Sequence, residues 1–165
     1  MKYSAMANVE FNGDFFRIIT MSQGMLSYAE PSADPIYLPP EVGDAELGNA
    51  IRNGLSLSRR VTPSEFQEIL KSKVVELNAK DRDARAIEQF GYKKKRDMNK
   101  NMDTCLIKVF DGKIEIQPTH QNSLDTYTIS KDEGPFPVCV DENVSDTELG
   151  STLKRAMTQC TSSLR

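Results

Sequence analysis

Asp44-Ala45-Glu46-Leu47-Gly48 is the stretch that decides the fold, because it returns as Asp146-Thr147-Glu148-Leu149-Gly150. The two copies lie 102 positions apart, and the match continues in both directions. Two copies so far apart indicate a duplicated half-domain rather than a solenoid of short repeats. We therefore predict two related halves, each with a short apolar strand, a turn and an amphipathic helix. The apolar positions that correspond ahead of the helices are Ile36, Leu38 and Val42 in the first copy, and Val138, Val140 and Val144 in the second.

Both copies have the pattern of a helix start. Ser145 opens a Ser-x-x-Glu capping box, whereas Gly43 stands at that position in the first copy, so Asp44 is expected to cap there instead. Gly48 and Gly150 each cost about 1 kcal/mol relative to alanine inside a helix, which indicates close backbone packing, expected against a sheet. Residues at i, i+4 and i+8 form one apolar stripe on each helix: Leu47, Ile51 and Leu55, and Leu149, Leu153 and Met157.

A β-hairpin is predicted ahead of the strand and helix of the first half. Residues 15–21 and 25–30 would form its strands around a Gln23-Gly24 turn. The pairs expected from a two-residue loop are Met21 with Leu26 and Ile19 with Tyr28.

The second half has a hairpin with a stronger turn signal, Asp111-Gly112. Residues 106–110 and 113–117 are its predicted strands, and we match this hairpin to the one at residues 15–30. The pairs expected are Val109 with Ile114 and Ile107 with Ile116 on one face, and Lys108 with Glu115 on the other.

The segment between the halves has a helical pattern. Thr62-Pro63-Ser64-Glu65 opens a helix, because proline suits a first helical position that needs no N–H. Another helix is expected to end near Phe90, before a broken basic stretch that contains Lys93-Lys94-Lys95-Arg96. The stripe expected to be buried is Phe66, Ile69, Leu70, Val74 and Leu77.

The predicted fold class is α+β, with a single domain over residues 1–165. Half-repeats at about 14–58 and 104–160 would form an antiparallel or mixed sheet, with helices packed mainly on one face and a helical insert at about 62–102 between them. The second half has a longer connection, residues 118–137, in which a short edge strand is expected at 126–129.

The composition is ordinary for a globular chain of 165 residues, with 38% hydrophobic and 27% charged residues. A net charge of −3 argues against a protein whose main task is to bind phosphate backbones, and it suits a basic partner. Cys105, Cys139 and Cys160 lack metal-type spacing, so we expect buried, reduced thiols. No leader-like or membrane-length apolar run is present in the sequence, and a cytoplasmic location is expected.

No catalytic motif stands out. His120 is the only histidine, and the polar residues around it form no catalytic constellation, so a surface position is expected. Glycine-rich phosphate loops, HExxH and Cys-x-x-Cys are absent from the sequence. These observations favour a binding protein without cofactor or metal over an enzyme. Two alternatives stay open: a nucleic-acid-associated regulator that uses the basic residues 93–96, and a small enzyme built around His120.

The chain resembles the CdiI-type immunity proteins of bacterial contact-dependent growth inhibition (CDI) systems. The resemblance lies in the order of hairpin, Ile36-Tyr37-Leu38-Pro39, Glu46-Leu47-Gly48-Asn49-Ala50-Ile51 and Leu57-Ser58-Arg59. It implies a cytoplasmic protein that binds the C-terminal toxin domain of a cognate exoprotein, often a nuclease, and blocks it. No catalytic or ligand-binding residues are carried over with the family.

The contacts to such a toxin are expected in the long connection of the second half, because loops on a rigid scaffold commonly carry recognition. An edge at 126–128 could accept a partner strand, and an ordinary protected edge explains it equally well. No contact with nucleic acid or membrane is expected, and the oligomeric state stays open. The candidate residues are Tyr127 as an aromatic anchor, Asp125, Asp132 and Glu133 as charges toward a basic partner, and Tyr37 and Glu41 as second choices.

Overall fold

The structure, a computed structural model, describes residues 2–165 as ten strands and five helices. The predicted α+β class is confirmed. The strands are β1 (Ala5–Phe11), β2 (Phe16–Gln23), β3 (Ser27–Ala29), β4 (Ile36–Leu38), β5 (Asp103–Phe110), β6 (Lys113–Pro118), β7 (His120–Ser123), β8 (Thr126–Thr128), β9 (Val138–Asp141) and β10 (Thr161–Ser162). The helices are α1 (Asp44–Ser56), α2 (Pro63–Ser72), α3 (Val74–Phe90), α4 (Lys95–Asn99) and α5 (Asp146–Met157).

A seven-stranded sheet in the order β3-β2-β1-β5-β6-β9, with β4 also paired to β2, forms the centre of the fold. Strands β1 and β5 pair antiparallel in the middle of this sheet. Each belongs to a unit of the same topology, β1-β2-β4-α1 and β5-β6-β9-α5, so an approximate twofold axis passes between them. Equivalent ladders are Val9–Ile18–Ile36 in the first unit and Ile107–Ile116–Val138 in the second.

The duplicated hairpin therefore differs from the one predicted. The match of residues 15–30 to the Asp111-Gly112 hairpin is wrong, because β1 and β2 are the strands that correspond to β5 and β6. Residues 5–11 had not been predicted as a strand, although Ala7 and Val9 are fully buried beneath the helices. The β2–β3 register is also wrong: Met21 pairs with Ala29, and a three-residue turn, residues 24–26, joins the strands.

The second hairpin is confirmed in its predicted register. Asp111 and Gly112 both have positive φ angles, 51° and 71°, as a tight two-residue turn between twisted strands requires. The three predicted pairs are present: Val109–Ile114, Ile107–Ile116 and Lys108–Glu115.

Helices α1 and α5 pack against each other and against one face of the sheet. All six residues of their predicted stripes are buried. The two motif glycines permit this packing. The close neighbour of each glycine is the other helix, whereas packing against the sheet had been predicted. A Cβ on Gly48 would meet the backbone of Asp146, and a Cβ on Gly150 would meet the backbone of Asp44.

Ion pairs on either side of the crossing follow the same symmetry. Arg52 binds the Asp146 carboxylate at 2.9 Å, and Lys154 binds the Asp44 carboxylate at 2.8 Å. Ser145 caps α5 by accepting a hydrogen bond from the Glu148 N–H at 3.1 Å. The prediction that Asp44 caps α1 is wrong: Gly43 is the N-cap residue, and Asp44 is the first helical residue.

Helix α3, in the segment between the units, packs on the side of the sheet opposite α1 and α5. Arg17, whose side chain points away from α1, binds Glu10 at 3.0 Å and Asp83 of α3 at 3.3 Å. The predicted capping box of Thr62 and Glu65 is present at the start of α2. Helices α3 and α4 cover a second cluster that consists of Phe15, Ala86, Met98 and Met102.

The apolar stripe predicted across this segment is wrong. Only Phe66 of that stripe is buried, whereas Leu70 and Leu77 are 51% and 61% exposed. The physical reason is Lys73, whose φ of 58° places it in the left-handed region and separates α2 from α3. The two helices therefore do not continue one face.

Candidate functional site

The long connection of the second half forms a small second sheet beside the main one. Strand β6 ends at Pro118, and the chain continues almost directly into β7. β7 pairs antiparallel with β8 and parallel with β10, giving the order β10-β7-β8. The predicted edge strand at 126–129 is found as β8, and it is an edge strand of this second sheet rather than of the main sheet.

A cleft of about 570 Å³ opens between this second sheet, the loop that follows β8 and the chain after α5. Its lining is mixed, with more polar than apolar side chains. The lining includes His120, Ile129, Glu133 and Phe136, together with Gln159 and Thr161 from the C-terminal segment.

His120 is held by hydroxyl groups on this C-terminal segment. Its Nδ1 lies 2.7 Å from Thr161 Oγ1, and its Nε2 lies 2.8 Å from Ser163 Oγ. The residue is half-buried at the start of β7, whereas a surface position had been expected. Both ring nitrogens are therefore occupied in fixing one wall of the cleft.

Tyr127 lies on β8, but its ring packs against the second cluster. Its hydroxyl donates to the Met102 carbonyl oxygen at 3.3 Å and accepts from Gln121 Nε2 at 3.4 Å. Burial, and then the nearby Glu10 charge, raises the pKa of Tyr127 to about 12. The side chain attaches the second sheet to the body of the protein.

Asp125 is exposed, and its carboxylate has two partners in the insert. Lys95 Nζ lies 3.0 Å from Asp125 Oδ1, and Asn99 Nδ2 donates to the same oxygen at 3.2 Å. Lys95 also binds Asp83 at 3.2 Å, and the hydrogen bond with Asp125 contributes most to raising the pKa of Lys95. One member of the basic run 93–96 is thus neutralised within the protein.

Asp132 and Glu133 lie in the loop after β8, and both are exposed. Glu133 lines the cleft. Two apolar residues of the same region, Phe136 and Ile129, are 58% and 41% exposed. They had not been singled out from the sequence, although apolar residues within a polar loop are a usable signal of a contact surface.

The two second-choice residues lie at the start of the first motif. Tyr37 on β4 packs its ring against Phe15 and Phe90, with centroid distances of 5.5 and 5.4 Å. It therefore shares the second cluster with Tyr127. Glu41 is exposed in the turn between β4 and α1.

Across residues 2–165, no group of three or more potential side-chain ligands is placed to hold a metal ion. None of the helices in this described part of the chain is long and apolar enough to cross a membrane.

Comparison with known proteins gives matches over nearly the whole chain. The model of the CDI immunity protein family matches residues 5–160. The immunity protein CdiI-YPIII of Yersinia pseudotuberculosis is 29% identical over 169 residues, which cover 95% of this chain and 96% of that protein.

Two solved structures share the fold. A protein of unknown function from Neisseria meningitidis has a TM-score of 0.87 at 22% identity, with 97% of this chain and 98% of that one covered. A chain from a toxin and immunity complex of Yersinia pseudotuberculosis has a TM-score of 0.85 at 24% identity, with 98% and 99% covered.

Proposed function

Because the chain belongs to the CDI immunity protein family, we propose that it binds the C-terminal toxin domain of a cognate CDI exoprotein and neutralises it. The family match over residues 5–160 is the observation that carries this proposal. The fold shared with a chain of a toxin and immunity complex is consistent with it. The protein acts by stoichiometric binding and performs no catalysis of its own.

The toxin domain is a basic nuclease, and the two proteins meet in the cytoplasm. The net charge of −3 supports this finer proposal, because complementary charge steers a basic partner toward an acidic one. In addition, Lys95 of the only four-residue basic run is bound to two carboxylates, so the run offers fewer free cations to nucleic acid than its sequence suggests.

The contact surface is the cleft and the loop that follows β8. Phe136 and Ile129 provide exposed apolar area next to a concave surface, and such anchors dominate the energy of many interfaces. Asp132 and Glu133 add carboxylates at its rim. Asp125 and Tyr127 contribute mainly by holding β8 in place, since both bind groups within the protein.

Tyr37 and Glu41 are second choices for this surface. Tyr37 packs on the cluster behind β8, so it affects binding through the position of that strand. Glu41 is exposed and would act as a rim charge, for which a loss of about 1 kcal/mol or less is expected.

Paired variants test the location of the surface. Phe136→Ala should weaken binding of the toxin domain at least tenfold, about 1.4 kcal/mol, because a central anchor is lost. Glu133→Lys should weaken it mainly by slowing association. On α3, Leu77→Ala removes an exposed apolar side chain and Glu76→Lys makes the same charge reversal, both outside the proposed surface, and they should bind like the parent.

The readouts are titration calorimetry with the purified toxin domain and protection of cells that express it. Equal binding by Phe136→Ala, Glu133→Lys and the parent would place the surface elsewhere. Failure of the parent itself to bind or protect would contradict the proposed function.

A further inference from the structure

Two of the three cysteines meet where the chain leaves α5 and passes over β5. The Sγ atoms of Cys105 and Cys160 lie 3.9 Å apart, although the residues are 55 positions apart in the sequence. Cys105 is buried, Cys160 is half-buried, and the third cysteine, Cys139, is exposed on β9. The expectation of buried thiols is therefore correct for Cys105 and wrong for Cys139.

The two thiols differ in their surroundings. Cys105 is enclosed in the main core, and its Sγ also lies 3.9 Å from Met157 Sδ. The hydrogen bond to Cys160, together with burial, raises the pKa of the Cys105 thiol. The same hydrogen bond lowers the pKa of Cys160, against the opposing effect of its own burial. Cys160 is also the more exposed of the two sulfurs, so it is the one that more readily becomes a thiolate.

We propose that Cys105 and Cys160 are a modification site, a thiol pair that a peroxide converts to a disulfide within the folded protein. The sulfurs are already in contact, so rotation of the two side chains brings them toward the bonding distance of about 2.05 Å. Solvent access also favours this pair, because a small oxidant can reach the half-buried Cys160 and Cys105 is in contact with it. Neither the fold nor the toxin-binding role requires this reaction.

The chemistry balances with hydrogen peroxide as the oxidant. Cys160 loses its proton, and its thiolate attacks one peroxide oxygen; the O–O bond breaks, a sulfenic acid forms, and the hydroxide that leaves takes up the released proton to give water. Cys105 then attacks the sulfenic sulfur, the S–S bond forms, and the hydroxyl group leaves as water with the Cys105 proton. Two thiols and one peroxide give one disulfide and two molecules of water.

The disulfide would act on the wall of the cleft. Gln159 and Thr161 flank Cys160, and both line the cleft. Thr161 also pairs with β7 and contacts His120. A covalent link from Cys160 to β5 therefore ties this wall to the centre of the main sheet.

Peptide mapping after peroxide treatment tests the proposal, because trypsin places the three cysteines on separate peptides. Cys105 lies on residues 101–108, Cys139 on 132–154 and Cys160 on 156–165. In the folded protein we expect the 101–108/156–165 crosslink to exceed any Cys139 crosslink at least about tenfold, and to disappear on reduction. In urea this preference should be lost, because the fold no longer holds the pair together.

Variants separate the two roles. Cys139→Ser should form the crosslink as the parent does. Cys105→Ser should stop at a Cys160 sulfenic acid that dimedone traps, whereas Cys160→Ser should leave Cys105 reduced. The proposal is overturned if folded Cys139→Ser keeps both thiols after peroxide treatment. It is also overturned if Cys160 is oxidised to the sulfinic acid without a crosslink to Cys105.

Discussion

Replacing Gly48 by alanine should destabilise the protein, although alanine is the better helix former. The added Cβ would lie 2.6 Å from the Asp146 carbonyl carbon and nearer still to its oxygen. Ordinary contact begins near 3.4 Å, so the two helices would have to separate by about 1.5 Å to clear the oxygen. Both sides of this contact are backbone, and no side-chain rotation can relieve it.

The magnitude follows from two opposing effects. Helix propensity favours alanine by about 1 kcal/mol, whereas overpacking a tight core contact costs about 1–3 kcal/mol and occasionally more. With backbone on both sides the upper end applies, so we expect a net loss of about 2 kcal/mol. For a domain of this size, that loss lowers Tm by about 4–8 °C.

Asn49 provides the matched control, because it is the next residue of α1 and is exposed. Asn49→Ala should be more stable than Asn49→Gly by about 1 kcal/mol, which measures propensity alone. Gly150→Ala should resemble Gly48→Ala, and the double variant should lose less than the sum, because the same helix crossing is opened only once. Urea unfolding followed by circular dichroism gives these values. A Gly48→Ala variant as stable as the parent would refute the close helix crossing.

Three further predictions concern buried polar groups. Burial disfavours the Glu30 carboxylate, but hydrogen bonds from Arg59 and nearby serines outweigh it and lower the pKa of Glu30 from 4.5 to about 2. The stabilisation from this lowered pKa is therefore complete above pH 4.5 and is lost as the pH falls toward 2. Between pH 7 and pH 3, the free energy of unfolding of the parent should fall by roughly 1–2 kcal/mol more than that of Glu30→Gln. An equal fall in both proteins would contradict this prediction. Tyr127→Phe should cost about 1 kcal/mol in urea unfolding, because the Met102 carbonyl loses its hydroxyl donor, and should leave toxin binding nearly unchanged. His120→Ala should speed amide hydrogen exchange at residues 161–163 without abolishing cell protection; unchanged exchange would show that the histidine does not hold this segment.

Much of the symmetric core could be predicted from local sequence signals. The Asp111-Gly112 turn fixes the second hairpin because both residues tolerate positive φ. The 3.6-residue periodicity and the Ser145 cap similarly indicate α5. Signals of this kind act within a few residues, so they do not depend on contacts with distant parts of the chain.

Pairing between distant segments could not be predicted in the same way. Strand β1 carries Asn8 and Glu10 on the face that points away from α1 and α5. Its position in the middle of the sheet becomes visible only from its pairing with β2 on one side and β5 on the other. Gln23-Gly24 is a weak turn signal, and Phe66 of α2, which lies against Gly24 and Tyr28 in the structure, is distant in the sequence. The break between α2 and α3 is the single left-handed residue Lys73, and no glycine marks it in the sequence.

The contact surface in the long connection of the second half stays a prediction, but the structure does show where its candidate residues lie. The connection at 118–137 does form a distinct sheet and cleft, but the side chains with the most obvious chemistry bind within the protein. Tyr127 and Asp125 have partners that are distant in sequence, Met102 and Lys95, and no local pattern reveals them. The only signal that the sequence offers for Phe136 is that it is an apolar residue in a polar loop.

Co-purification with the toxin domain tests the proposed immunity function. The protein should be co-expressed with the C-terminal domain of the exoprotein encoded immediately upstream, and the purified material examined by size-exclusion chromatography with mass measurement. We expect a one-to-one complex that survives purification, and cells that grow when both partners are present but not when the toxin domain is expressed alone. Two separately eluting proteins, together with growth arrest despite full expression of this chain, would contradict the account.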